Sequence, residues 1–169
     1  MNLKCLACAG LLLGLNAPLF AAPPKVGDTV GTLRFSDAAG TTVALDQPDV
    51  LYIVDFWSIG CQPCIHEIPD LDRLQHDYDA GGRVRIVGVV WGDWKPKELP
   101  KIAKQFKTTR PVFADYQHWF DTFETHAFPT KLFIKNGVLI HVVQGAGSDS
   151  YGELKRLIDA EFNDSQVKW

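Results

Sequence analysis

The sequence has few of the features that mark several common classes of protein. Its 17 Lys and Arg are outnumbered by 20 Asp and Glu, so it lacks the basic surface of a nucleic-acid binder. Four Cys are too few for a small fold held together by disulfides, and 14 Gly and 10 Pro exclude collagen and extended disorder. No hydrophobic run provides a comfortable membrane span of roughly 20 residues. What remains is a globular chain of 169 residues, a length that fits one domain.

Residues 1–21 have the pattern of a secretory signal peptide. One positive residue, Lys4, precedes an apolar stretch that includes Leu11–Leu13 and ends in small residues such as Ala21. An uncleaved membrane anchor is the alternative. Cleavage would leave residues 22–169 as a single domain in an oxidising compartment, which we expect to be the periplasm. It would also remove two of the four Cys and leave only Cys61 and Cys64.

The order of the predicted elements indicates an α/β fold. Two short strands around a turn-rich stretch predict an N-terminal β-hairpin at residues 29–35 and 41–45. Further strands are predicted at residues 50–57, 84–91, 111–114, 130–135 and 138–144. Helices are predicted at residues 63–78, 95–107, 116–124 and 150–162, the last with a capping box at Ser150 and Glu153. This alternation predicts a mixed central sheet with helices on both faces.

The chemistry is predicted to lie at Cys61-Gln62-Pro63-Cys64, where a strand meets a helix. Unpaired backbone N–H groups and the helix dipole favour a thiolate there, so the pKa of Cys61 should fall below the ordinary value of about 8.5. Cys61 is the expected exposed nucleophile. Cys64, one turn later, is placed to attack a mixed disulfide at Cys61 and release the substrate. This exchange needs neither an organic cofactor nor a metal.

Three alternative interpretations of the Cys pair stay open. A purely structural disulfide would close a very short loop and contribute little entropy. A metal-binding module would need further ligands, yet the five His show no His-x3–5-His spacing and the only Met is Met1. A thiol peroxidase is suggested by Ser58-x-x-Cys61, although Val54 stands where that motif expects a Pro.

Two motifs resemble those of thioredoxins. Residues 54–64, Val-Asp-Phe-Trp-x3-Cys-Gln-Pro-Cys, resemble the active-site strand and helix, and Phe128-Pro129-Thr130 resembles the cis-proline loop that faces the dithiol. Cys-x-Pro-Cys-x-x-Glu-x-Pro at residues 61–69 is similar to the TlpA/ResA-like extracytoplasmic thioredoxins in particular. The long segment between Cys64 and Pro129 fits that family as well. The resemblance implies a thioredoxin-like fold with a βα insertion before the cis-proline loop.

The resemblance also implies roles for single side chains. Asp55 would be a buried acid beneath the dithiol that exchanges a proton with Cys64, and burial should raise its pKa. Glu67 shares the helix face of Cys64 and would tune the thiols; an ordinary solvated helix residue is the alternative. Trp57 is expected to pack under the site, shield it and belong to the substrate-binding residues, with plain core packing as the other interpretation.

The cis-proline loop is expected to bind substrate. Phe128, Pro129 and Thr130 would present an open backbone edge that pairs with an extended substrate segment beside Cys61. Two positions depart from the family: Gly60 replaces a usual Trp, and Ile65 replaces a frequent basic residue. Both changes alter the rim of the site and bear on the choice of partner more than on the reaction.

These observations predict a periplasmic thiol-disulfide oxidoreductase that acts on protein thiols and disulfides. Gln62 and Pro63 place no His between the two Cys, which favours a reductant over a strong oxidant. A periplasmic reductant needs electrons from a membrane dithiol donor. By resemblance, apocytochrome c thiols are one candidate substrate class. We expect a monomer that binds no nucleic acid and meets the membrane only through an uncleaved signal.

Overall fold

Seven strands form one mixed sheet in the computed structural model, which describes residues 22–163. The predicted signal peptide at residues 1–21 lies outside the described residues. The strands are β1 Leu33–Ser36, β2 Thr42–Leu45, β3 Leu51–Trp57, β4 Val84–Val90, β5 Val112–Ala114, β6 Thr130–Lys135 and β7 Val138–Gln144. Their order across the sheet is β2-β1-β5-β4-β3-β6-β7. The mixed sheet expected from the sequence is thereby confirmed.

Four α-helices and one short 3₁₀ helix accompany these strands between residues 22 and 163. The helices are α1 Gln62–Asp79, α2 Leu99–Phe106, α3 Trp119–Thr122 and α4 Ser150–Asn163, and the 3₁₀ helix at Pro96–Glu98 precedes α2. Helices α1, α2 and α4 pack on one face of the sheet, and Phe120 of α3 packs on the other. In the part of the chain from residue 22 to 163, no helix is both long and apolar enough to cross a bilayer.

Strand β3 lies inside the sheet, between β4 and β6, and is buried along its whole length. It runs parallel to β4 and antiparallel to β6, as its run of apolar and β-branched residues leads one to expect. Because side chains alternate along a strand, Tyr52, Val54 and Phe56 face α3, whereas Ile53 and Trp57 face the other helices. Asp55 shares the face of Ile53 and Trp57, so a carboxyl group lies inside the layer beneath α1.

The N-terminal hairpin is shorter than the sequence predicts. Strand β1 begins at Leu33 instead of residue 29, because Gly31 has a φ of 69° and turns the chain. Thr29 lies on the other side of that turn and pairs with Val138 at the start of β7. The predicted segment is therefore divided between β1 and a bridge to the edge strand β7 on the opposite side of the sheet.

Helix α4 is capped by a residue other than the one predicted. The side chain of Asp149 accepts a hydrogen bond from the N–H of Gly152 at 2.9 Å, which is the bond of an N-cap residue. Ser150 is already the first helical residue, and its hydroxyl donates to the carbonyl of Gly147. The predicted capping box at Ser150 is wrong by one residue, because Asp and Ser are both good caps and adjacent here.

Candidate active site

The two Cys of the motif form a disulfide at the first turn of α1. Cys61 is the N-cap residue, and its Sγ accepts a hydrogen bond from the N–H of Cys64 at 3.2 Å. Pro63 lies in the first turn, where a missing N–H leaves no hydrogen bond unmade. Cys64 is 3% exposed, whereas Cys61 is partly exposed. The pair is therefore asymmetric, with one sulfur at the surface and one in the interior.

The Phe128-Pro129 peptide bond is cis, as the resemblance implies. Phe128 and Cys61 both pack against the buried cluster that contains Cys64, and Thr130 pairs with Phe56 near the end of β3, so the loop and the dithiol lie at the same end of the sheet. The hydroxyl of Thr130 donates to the carbonyl of Ala127 at 2.6 Å across the loop. The carbonyl of Pro129 accepts a hydrogen bond from the N–H of Gly145 at 2.7 Å. Whether these residues bind substrate stays a prediction.

Asp55 is buried as predicted, with 2% exposure. Its Oδ2 accepts a hydrogen bond of 3.3 Å from Nη1 of Arg110, and within residues 22–163 its Oδ1 has no hydrogen-bond partner. Burial raises the pKa of Asp55 and the charge of Glu67 adds to the increase, while Arg110 and Lys131 act in the opposite direction. The residue beside it on β4 is Gly88, which brings no side chain to the carboxyl group. Asp55 therefore has one oxygen available for a proton.

Glu67 is also buried, so the interpretation as a solvated helix residue is wrong. Its two carboxylate oxygens each lie 2.8 Å from Nζ of Lys131, a fully buried residue of β6. Glu67 comes three residues after Cys64 and therefore lies on the same, inward face of α1. The ammonium group of Lys131 offsets the cost of burying the Glu67 carboxylate there. Because Lys131 occupies both oxygens, Glu67 is less available than Asp55 to accept a thiol proton.

Lys131 also connects α1 to the cis-proline loop. Its Nζ donates a third hydrogen bond, of 2.7 Å, to the carbonyl of Gly145. The N–H of the same Gly145 binds the carbonyl of Pro129. Lys131 was not among the predicted site residues, although a Lys next to Thr130 in an otherwise apolar strand is a visible signal.

Arg110 is the second functional candidate that sequence reasoning missed. Its side chain is 2% exposed and lies between Asp55 and Asp72, with Nε 2.7 Å from Oδ1 of Asp72. Asp72 also accepts hydrogen bonds from the hydroxyl of Thr108 and the N–H of Thr109, each at 2.8 Å. A buried Arg held by two carboxylates extends the polar interior of the site toward the middle of α1.

Trp57 lies beneath the site and has 2% exposure. It belongs to the cluster that contains Cys64, and its ring meets that of Phe106 edge-on at 5.2 Å. A Cβ atom at Gly88 would lie 3.1 Å from its Nε1, so the glycine leaves room for the indole. This placement fits a shielding role, whereas direct contact with substrate stays an untested prediction.

The exposed aromatic at the rim is Trp91, which follows β4. Its side chain is 55% exposed, and its ring centroid is 6.0 Å from that of Phe128. Trp94 is half-buried and its indole N–H donates to the carbonyl of Trp91 at 2.9 Å. Among the described residues, no three His, Cys, Asp or Glu side chains form a group that could hold a metal ion.

Comparison with known proteins gives the same chemistry. The chain is 24% identical over 155 residues to the thioredoxin-like protein YneN of Bacillus subtilis, covering 90% of this chain and 82% of that one. It is 29% identical over 144 residues to the thiol-disulfide oxidoreductase ResA of Geobacillus thermodenitrificans, covering 83% and 81%. The thioredoxin domain of a thiol-disulfide oxidoreductase from Bacteroides vulgatus superposes with a TM-score of 0.62 at 20% identity, covering 79% and 98%. No protein-family model matches the chain.

The sheet, the position of the bonded Cys pair and these likenesses define the class of the protein: a thioredoxin-fold thiol-disulfide oxidoreductase. Within that class, the chain is similar to the TlpA/ResA-like proteins, since ResA of Geobacillus thermodenitrificans is among its relatives.

Proposed function

We propose that this protein reduces disulfides of other proteins in the periplasm. The observation that carries the proposal is the asymmetric Cys pair, in which Cys61 is partly exposed beside the cis-proline loop and Cys64 is buried. Only the outer sulfur can meet a substrate disulfide. Gln62 and Pro63 supply no cation to stabilise a reduced thiolate strongly, and strong oxidants depend on that stabilisation.

The reaction balances as two consecutive exchanges. The thiolate of Cys61 attacks one sulfur of the substrate disulfide, which breaks that bond, forms a mixed disulfide and releases the first substrate thiolate. Cys64 then passes its proton to the carboxylate of Asp55, directly or through one water molecule. The Cys64 thiolate attacks the sulfur of Cys61 and releases the second substrate thiolate. Two electrons reach the substrate, and the protein is left with the disulfide seen in the structure.

The cellular setting is part of the same proposal. The predicted signal at residues 1–21 supports export to the periplasm, with residues 22–169 as the mature thioredoxin-like domain. A reductant in that oxidising compartment must be recharged, so a membrane dithiol donor returns two electrons to Cys61 and Cys64. The substrates are protein disulfides, and apocytochrome c is one class among them.

A redox titration followed by covalent trapping tests this function. The Cys61–Cys64 pair is equilibrated with thiol buffers, and we expect a potential close to the thioredoxin value of about −270 mV. A potential near −120 mV, the region of strong oxidants, would contradict the reducing direction. Cys64→Ala should accumulate mixed disulfides with exported proteins, which mass spectrometry identifies, and the control Cys61→Ala should accumulate none.

The same preparations test the alternatives. Rapid consumption of peroxide that survives Cys64→Ala would favour the thiol peroxidase. Tight stoichiometric zinc or copper binding by the reduced protein, without disulfide exchange, would favour the metal-binding module. Either result would displace the proposal.

A further inference from the structure

Three charged side chains form a buried row that the exchange reaction described above does not use in full. In space, Arg110 lies between Asp72 of α1 and Asp55 of β3. In the chain, Arg110 comes shortly before β5. Arg110 and Asp55 are buried, and Asp72 is largely so, with 15% of its side chain exposed. A charged group that leaves water is costly unless it is paired, so this row needs a reason beyond packing.

Arg110 does not bind its two partners equally. Its Nε is 2.7 Å from Asp72, a short charge-assisted hydrogen bond, whereas its Nη1 is 3.3 Å from Asp55. Thr108 and Thr109 add two hydrogen bonds that hold Asp72 in place. The guanidinium group is thus anchored on Asp72 and presents only a weaker contact to Asp55, whose other oxygen has no partner within the described residues.

The other elements around Asp55 show that Arg110 is its nearest positive partner. Helix α1 contributes the negative charge of Glu67, and its Asp72 binds the same guanidinium group as Asp55 does. Strand β6 contributes Lys131, the antiparallel neighbour of Asp55, but this ammonium group is bound to both oxygens of Glu67. Strand β4 contributes Gly88 and therefore no charge. Among residues 22–163, only Arg110 hydrogen-bonds directly to the Asp55 carboxylate.

We propose that Arg110 and Asp72 are paired positioning residues that set how readily Asp55 takes the proton of Cys64 during resolution of the mixed disulfide. The proposal rests on the proposed function, because it concerns the second exchange step. Arg110 stabilises the carboxylate form of Asp55, and Asp72 limits that stabilisation by drawing the guanidinium toward itself. The acid is thereby kept between two extremes, a carboxylate too stable to bind a proton and a carboxylic acid too stable to release one.

The two members of the pair should act with opposite signs. In Arg110→Gln the Asp55 carboxylate loses its cation, so Asp55 holds its proton to higher pH and Cys64 is deprotonated less readily. In Asp72→Asn a negative charge is removed and Arg110 is free to bind Asp55 more closely, so Asp55 ionises at lower pH. Residues that only stabilise the fold would shift the pH profile in neither direction, or in the same direction in both variants.

The resolving step can be measured in the whole chain. The reduced protein is mixed with dithiobis(nitrobenzoate), whose first coloured thiolate is released by Cys61 and whose second is released by Cys64. The rate of the second phase is followed from acid to alkaline pH, and Cys64→Ala, which releases one equivalent only, assigns the phases. We expect the midpoint of the profile to rise by about one pH unit in Arg110→Gln and to fall in Asp72→Asn. Arg110→Lys, which keeps the positive charge, should bring the midpoint most of the way back to its wild-type value.

A second measurement separates this proposal from the proposed function. In the oxidised protein Cys64 does not titrate, so the carbon-13 signal of the Asp55 carboxyl group reports its ionisation alone. The same opposite displacements are expected there. The control is Asp46→Asn, which removes an exposed carboxylate outside the row and should leave both midpoints in place.

Two results would overturn the proposal. One is a folded Arg110→Gln and a folded Asp72→Asn with the midpoints of the wild type, and the other is displacement of both variants in the same direction. If Arg110→Gln does not fold, an unmoved midpoint in Asp72→Asn is sufficient to reject it. An absent second phase in the wild type would contradict the exchange chemistry instead, while the carboxyl titration would still decide the role of Arg110 and Asp72.

Discussion

Nζ of Lys131 lies 2.8 Å from both carboxylate oxygens of Glu67, and neither side chain is accessible to solvent. One residue belongs to the helix that begins at the dithiol, and the other directly follows the cis-proline loop. An ion pair at this depth offsets the cost of burying each charge only while both partners are present. It therefore couples the stability of the two halves of the site.

A double-mutant cycle tests this pair. Glu67→Gln and Lys131→Met should each lower the free energy of unfolding by about 3–5 kcal/mol, because each leaves one buried charge unpaired. The double variant should lose less than the sum of the two, since it leaves no buried charge behind. Urea unfolding followed by circular dichroism measures all four proteins, and strictly additive losses would show that the two residues do not act as a pair.

Stability should depend on pH through Asp55. Burial raises its pKa above the ordinary value of 3.8, so the folded protein binds this proton more tightly than the unfolded chain does. The contribution of Asp55 therefore becomes unfavourable as the pH rises above that value. Asp55→Asn should raise the melting temperature at pH 7, by about 2–4 °C for each kcal/mol, and the gain should disappear near pH 3.

The matched control for that experiment is Asp46→Asn, which changes an exposed carboxylate. Its melting temperature should follow that of the wild type at every pH. A lower melting temperature for Asp55→Asn at neutral pH would contradict the prediction, because it would mean that the ion pair with Arg110 outweighs the cost of burying the Asp55 carboxylate.

Trp91 is expected to contribute to recognition of protein substrates. Trp91→Ala removes a side chain that is 55% exposed and borders Phe128, so the fold should tolerate it. We expect kcat/KM for a protein disulfide to fall about tenfold, as for an aromatic residue in an interface, and the rate with dithiobis(nitrobenzoate) to stay unchanged. The control is Val26→Ala, a 60% exposed residue near the β6–β7 turn. Equal losses for both disulfides would place Trp91 in the chemistry and not in recognition.

We expect that only a glycine at position 88 leaves enough room for the indole ring of Trp57 beneath the dithiol. Gly88→Ala would place a Cβ 3.1 Å from Nε1 of Trp57, and the ring cannot withdraw easily because it packs against Phe106. We expect a loss of about 1–3 kcal/mol and a changed near-UV circular dichroism spectrum. Gly60→Ala is the control, since no atom lies within 4 Å of its added Cβ, and its stability should change by less than about 1 kcal/mol.

Local patterns in the sequence were sufficient for most of the fold. The bounds predicted for β6 and β7 match the structure, because Asn136-Gly137 marks the turn and both strands are strongly apolar. The Cys pair, the cis bond before Pro129 and the burial of Asp55 also lie where the motifs placed them. Each of these features depends on residues that are close together in the chain.

The features that were missed depend on contacts between distant segments. Lys131 and Arg110 were not among the predicted site residues, since each is buried against a carboxylate that lies 64 or 38 residues away in the chain. Glu67 was ambiguous for the same reason, because its spacing from Cys64 gives its helix face but not the cation that makes burial possible. The N-terminal strand was predicted too long because alternation of side chains does not reveal the turn at Gly31.

The peptide unit at Gly145 connects the interior of the molecule with the surface that meets a substrate. Its carbonyl is held by the ammonium group of Lys131, and its N–H holds the carbonyl of Pro129. The backbone of the cis-proline loop, which would pair with an incoming polypeptide, is thus held in place by a buried side chain. Selectivity among client proteins can accordingly change during evolution through substitutions that no client ever touches.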